Sequence, residues 1–518
     1  MKKSFLSRIT AVSLCLFMLV TSLIACAKPD SGNTGDTTTA ATDSTVPIPE
    51  TSSNTDENGF LLDDLSPDLN FGNSTVRFLV WSDVENNEFE IAEQSDNAVD
   101  NAIYLRNKTV ERRLGVTFEF EAIPGNYGNQ KNFISTAQTR ISVGSSSAPH
   151  IMAAYSLTSA GLVANGLTYK LNELENLDFS KPWWPDRLLT ESMINGNYYL
   201  CSGDISTNML HKMHAIFFNK DMTANNGHTA DSLYDKALAG DWTLDDLISD
   251  TLLAMRMLDD LFSMTADVYE DRNNSGTKDR GDLFGLYICD NYFDVFYYAS
   301  DLIIVDRDAD GKPKISDDFT SEKAVNLADK VGSFFANRNG AFFITDFTES
   351  AYMSDGNAMM IISRCDVALK KLRFSDNLDY GVLPVPKYDK DQKDYVSCLA
   401  FPCSLYVASK SIGDDASMVG AVLEAMGSEG YRKITPVLFE ATMKTRYASD
   451  GKIANVYDII RSSVTFDLGR IFYSSLGEVN NIFRKACSGN TGSYMANASA
   501  NRKSLQTMLN KLIADIGN

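Results

Sequence analysis

The chain of 518 residues carries 68 Asp and Glu against 47 Lys and Arg, a formal net charge of −21. That balance excludes nucleic acid and a basic membrane-docking face as partners, since both need clustered Lys and Arg. Four histidines without an HExxH string, and no GxSxG, remove the commonest zinc and serine hydrolase signatures, and eight cysteines without a CxxC argue against zinc or redox use.

The first element is a basic start (Lys2, Lys3, Arg8) followed by an apolar run over 9–24 that is short for a membrane span. It ends in Leu23-Ile24-Ala25-Cys26, which resembles a bacterial lipoprotein signal. The resemblance implies removal of residues 1–25 and acylation of Cys26 through its sulfur with fatty chains of the palmitate kind. An uncleaved helix with an incidental Cys26 is the other reading. Two acyl chains give stable anchoring where one gives reversible binding. Residues 26–59, rich in Ser, Thr, Asn, Asp and Gly, bury too little apolar surface to order themselves and read as a tether. Such a tether holds a folded body roughly 30 Å from the bilayer. Losing three basic residues with the signal leaves the mature chain at −24. The expected location is the outer face of the cytoplasmic membrane of a Gram-positive-type cell, where an unanchored chain would be lost.

The folded body is long enough for at least two lobes. Residues 74–81 (STVRFLVW) form a continuous apolar run, the pattern of a strand buried on both faces. Val99, Ile103, Arg106, Val110 and Leu114 fall at helical spacing, with Gly115 placed to stop the helix. A strand over 116–121, a helix marked by Phe133, Ala137 and Ile141, and a strand over 149–155 complete a β-α-β-α-β unit, hence a parallel, doubly wound α/β lobe. Ligands of such sheets bind beyond the carboxyl ends of the strands, here Trp81-Ser82-Asp83 and Tyr155-Ser156. Trp183 and Trp184, flanked by Pro182 and Pro185, sit in a loop after the third strand.

Farther along, Asp271, Asn273, Ser275, Thr277, Asp279 and Asp282, with Gly276 at the sixth position, reproduce EF-hand spacing with Asp in place of the last Glu. This loop is either a structural calcium site or an acidic surface turn. The similar Asp306-x-Asp308-x-Asp310-Gly311 string carries Pro313 and reads as a hairpin turn. Cys398 and Cys403 are the closest cysteine pair, with a bridge between them left open.

Asn195-Gly196-Asn197-Tyr198, Phe218-Asn219-Lys220-Asp221-Met222 and Asp241-Trp242-Thr243-Leu244-Asp245-Asp246-Leu247, followed by YMSDGNAMM (352–360) and YGVLPVPK (380–387), occur in the order found in one family. With them the chain resembles the extracellular solute-binding proteins of ABC importers, sugar-binding family 1 type. The resemblance implies a type II periplasmic-binding-protein fold, two α/β lobes around a ligand cleft. Lobe one would take 74–204 with 357–397, and lobe two 211–355 with 398–518. Crossings are expected near 205–213, 355–358 and 398–401. It further implies a monomer that captures a carbohydrate, with an oligosaccharide the leading expectation, needs no cofactor and hands its ligand to ABC permease subunits. Sugar sites pair stacking aromatics with polar hydrogen-bonding groups. The candidates are Trp81, Tyr155, Trp183, Trp184 and Trp242, and Asp83, Arg364, Asp366 and Arg446. Binding of a peptide or polyamine is the alternative, and a secreted glycosidase, which needs only two carboxylates, is a third reading.

Overall fold

The computed structural model describes residues 54–144, 147–244, 261–439, 451–489 and 493–517. The signal, Cys26 and the tether to residue 53 lie outside the described residues, as does Arg446. Residues 54–59, expected as the end of the tether, belong instead to the folded body. Thr55 pairs with Leu61, the Leu62 N–H donates to the Asn54 carbonyl at 2.9 Å, and Phe60 meets Tyr431 edge to face at 5.5 Å. Phe60, Leu61 and Leu65 supply the apolar surface that the preceding residues lack.

The first lobe forms where the sequence pattern placed it. Its elements are β1 (Ser74–Trp81), α1 (Ala98–Leu114), β2 (Val116–Ile123), α2 (Gln130–Val143), β3 (Ile151–Tyr155) and α3 (Ser156–Ala164). Helix α1 starts on Asn97, whose side chain accepts the Val99 and Asp100 N–H groups. It stops at Gly115, whose φ of 59° costs a glycine little. β1 runs parallel to β2, Ser74 against Val116 through Trp81 against Ile123, and parallel to β3.

The second lobe is a mixed sheet of β4 (His214–Asn219), β5 (Leu283–Cys289), β6 (Ala341–Ile344), β7 (Ala358–Arg364) and β8 (Tyr380–Leu383), with α4 (Phe293–Ala299) following β5. Its order is β8-β4-β7-β5, with β6 parallel on β5. β4 is antiparallel to both β7 and β8. This corrects the expected lobe division. Segment 357–397 stays in the second lobe, because β7 and β8 hydrogen-bond to β4. Instead β9 (Ser404–Ala408) returns to the first sheet, antiparallel to β3 with Ser404 against Tyr155. Helix α5 (Ala416–Glu429) packs on α1, while α6 (Gly451–Ser462), α7 (Asn481–Cys487) and α8 (Tyr494–Gly517) pack mainly on second-lobe elements, α8 also meeting α3 of the first lobe. At 355–358 the chain does not cross; it turns through Gly356 (φ 75°) into β7. The 306–311 stretch forms the expected hairpin, Val305–Arg307 against Pro313–Ile315.

The crossings at 205–213 and 398–403 lie side by side. Met213 bridges Leu399, and the Ala400 N–H donates to the Lys212 carbonyl at 2.7 Å. Cys201, Cys289, Cys365, Cys398, Cys403 and Cys487 are all buried free thiols, so Cys398 and Cys403 are not bridged.

Candidate ligand-binding cleft

The carboxyl ends of β1 and β3 face second-lobe residues across a cavity of about 820 Å³. On the first-lobe side Trp81 is the last residue of β1 and Tyr155 the last of β3. The Trp81 Nε1–H donates to Ser404 Oγ at 3.1 Å, and its ring stands edge to face with Tyr155 at 5.8 Å. Burial raises the Tyr155 phenol, which therefore stays neutral. Asp83 lines the cavity, yet its oxygens accept the Gly125 and Asn126 N–H groups at 2.8 and 3.1 Å and fix the loop before α2.

On the second-lobe side stand Tyr292, Phe347, Arg364, Arg470, Tyr473 and Arg484, with Phe401 from the returning crossing. Phe347 is 51% exposed and sits at φ 55°, a conformation that a bulky L-residue adopts only under strain. Its ring lies 5.6 Å from Tyr292. Phe401 packs 5.1 Å from Tyr473 and carries the Arg470 guanidinium over its face at 4.3 Å. Arg470 donates to the Leu399 carbonyl and pairs with Asp294 of α4, which also takes Arg484 at 2.8 Å. Burial raises the Asp294 carboxyl, and the two guanidinium charges more than offset it, leaving it below its usual value and ionised. His214 begins β4 on the same wall. Its Nδ1 lies 2.7 Å from the Cys398 carbonyl, which can only accept, so Nδ1 carries the proton and Nε2 is bare.

At the hinge edge of the cleft a charge cluster ties the lobes together. Glu85, four residues beyond the end of β1, accepts from Lys212 at 2.6 Å and from Arg364 at 2.8 Å. Lys212 is fully buried and also reaches Asp366 at 2.7 Å. Burial raises the Glu85 and Asp366 carboxyls, and Arg364 and Lys212 bring both below their ordinary values.

Of the nine ligand candidates read from the sequence, Trp81, Asp83, Tyr155 and Arg364 line the cleft, and Asp366 sits behind Arg364. The other three tryptophans are corrected to packing residues. Trp183 and Trp184 are 0% and 2% exposed, lie at a separate cavity of about 680 Å³, and Trp184 Nε1–H donates to Glu424. Trp242 is fully buried and donates from Nε1 to the Pro384 carbonyl at 3.0 Å. The sequence reading missed Glu85, Tyr292, Phe347, Phe401, Arg470 and Arg484. Only Glu85 carried a local signal, being next to a strand end already singled out.

In the 271–282 loop, Asp271 accepts the Ser275 and Gly276 N–H groups, and Asp279 accepts the Gly281 N–H and the Asn273 amide. Asp282 is fully buried, accepts from Tyr269 Oη and the Asp279 N–H through Oδ2, and leaves Oδ1 without a partner. Among the described residues no three Asp, Glu, His or Cys side chains are gathered closely enough to hold a metal ion.

No family model and no curated protein matches the sequence. Solved structures do match. The ABC substrate-binding protein Lmo0181 from Listeria monocytogenes, in complex with cycloalternan, is 12% identical with a TM-score of 0.50, over 85% of this chain and 99% of that one. The cyclic α-maltosyl-1,6-maltose binding protein from Arthrobacter globiformis is also 12% identical, with a TM-score of 0.52 over 85% and 99%. UgpB from Mycobacterium tuberculosis, in complex with glycerophosphocholine, is 13% identical with a TM-score of 0.51 over the same shares. The fold is therefore the two-lobed α/β architecture of ABC substrate-binding proteins.

Proposed function

We propose that this chain is an extracytoplasmic solute-binding protein that captures a carbohydrate between its lobes and delivers it to an ABC permease. The observation that carries this reading is the cleft itself, where a half-exposed Phe347 and the rings of Trp81, Tyr155, Tyr292, Phe401 and Tyr473 stand among guanidinium and amide groups. Sugar rings present flat C–H faces to such aromatics and hydroxyls to such polar groups. Solved neighbours of the same fold include complexes with cycloalternan and maltotetraose, in support. Three arginines on the cleft wall oppose a polyamine ligand, whose cations would need unpaired carboxylates. Capture works by closure about the paired crossings at 205–213 and 398–403, which release and bury the ligand as the lobes rotate.

Anchoring through acylated Cys26 belongs to the same proposal. Cys26→Ala is expected to release the protein into the medium, and retention on the membrane would remove the anchor from it. The 271–282 loop is proposed as a structural calcium loop, supported by its spacing and by the unpartnered Asp282 Oδ1; a melting temperature unmoved by chelator would refute it. The central test is a thermal-shift screen of oligosaccharides on the full chain. A ligand at about a hundred times its Kd adds roughly 2.7 kcal/mol to stability. Hydrolysis of a glycan without any stabilisation would overturn the binding reading.

A further inference from the structure

The hydrogen-bonding balance of the cleft wall narrows the ligand further, on the premise of the carbohydrate reading above. A neutral sugar is held largely by acceptors that take its hydroxyl protons. The two carboxylates lining this cavity, Asp83 and Glu85, are already occupied, the first by backbone N–H groups of the α2 loop and the second by Lys212 and Arg364. Asn126 likewise spends its side-chain oxygen on the Gly128 N–H.

One side-chain acceptor, the bare Nε2 of His214, is left on this wall beside three guanidinium groups. Arg470 and Arg484 share the single carboxylate of Asp294 behind the wall. Arg484 Nε has no partner, and its Nη1 has only a long 3.4 Å approach to Asn291 Oδ1. Two guanidinium groups thus share one buried carboxylate on this wall, in a chain whose net charge is −21. A planar guanidinium fork matches a carboxylate in two parallel hydrogen bonds. The Arg484 guanidinium lies 5.7 Å over the Phe401 ring and 6.0 Å over that of Tyr473, so aromatic surface flanks it.

We propose that the ligand is an acidic oligosaccharide whose uronate carboxylate is read by Arg484, with Arg470 holding the charge in place. Titration calorimetry of the full chain with trigalacturonate, maltotriose and glucose 1-phosphate tests it. The expected result is at least about tenfold tighter binding of the uronate than of maltotriose, weakening with salt. Arg484→Gln should erase that preference, and Arg484→Lys, which keeps the charge that stabilises Asp294, should lose most of it while melting like the parent. Equal affinity for maltotriose would overturn the acidic ligand and leave the carbohydrate reading intact. Binding of glucose 1-phosphate without the uronate would overturn the carboxylate assignment. Binding of no saccharide in this set or in the neutral screen would withdraw the carbohydrate reading itself.

Discussion

Phe347 combines exposure with strain, and the two make separable predictions. A bulky residue in the left-handed region costs roughly 1–2 kcal/mol relative to glycine's indifference. Phe347→Gly is therefore expected to melt no lower than the parent while binding ligand more weakly, a split that thermal shift and calorimetry read together. Trp183 predicts the reverse. Its ring is fully buried against α5, where an added Cβ on Gly427 would come within 2.7 Å of it. Trp183→Ala should cost about 3–5 kcal/mol in urea unfolding and leave ligand affinity in the surviving folded protein unchanged. Trp81 and Tyr155 line the cleft at the strand ends where the sequence pattern placed them, because a strand end is a position that local pattern defines. Burial of the Trp183 ring was illegible because two prolines beside a Trp pair signal a loop, while Gly427, whose missing Cβ makes room for the ring, lies 244 residues away. Phe347 was illegible for the same reason: only the placement of β6 on β5 aims the following turn at the cleft.

At the scale of elements, the paired crossings carry a titratable group in their midst. His214 is fully buried between the Cys398 carbonyl and the Tyr292 ring. Burial first, then the positive charge of Arg470, depresses it from 6.5 to about 3. Below pH 6.5 the unfolded chain binds a proton that the folded chain refuses. The stability this group contributes is thus intact above pH 6.5 and lost progressively as pH falls towards 3. His211, lowered to about 4 by burial, acts in the same direction. Asp467, raised to about 7 by burial, acts oppositely, losing stability as pH rises from 3.8. His214→Gln should therefore lower the melting temperature at pH 7 relative to that at pH 5, while leaving Asp467's contribution in place. The helices and strands of the first lobe were legible because their periods and caps are local. Lobe membership of β7 and β9 was not, since both read as short apolar runs and hydrogen bonds to distant strands alone assign them to a sheet.

At the scale of the whole molecule, side-chain pairs join the two lobes at both edges of the cleft. Glu85 joins first-lobe sequence to Lys212, Arg364 and Lys370, and across the cleft mouth the Tyr127 hydroxyl meets Glu478 at 3.0 Å. Glu85 is more than a third exposed, so solvent screens its pairs and their net contribution is small. A small bias suffices when open and closed forms differ little in free energy. Glu85→Gln is expected to raise the ligand-free radius of gyration in solution scattering and to leave the ligand-bound value unchanged; identical ligand-free values would show that the tie does not set the resting state. The six described cysteines offer a way to watch that motion. All are buried, and burial raises Cys398 to about 12 and Cys403 to about 11, so the thiolates that react with maleimides are scarce and sheltered. A pair of thiols engineered onto the rims of the two lobes would accept fluorophores selectively over these native residues, turning the opening and closing of the cleft into a change in energy-transfer efficiency.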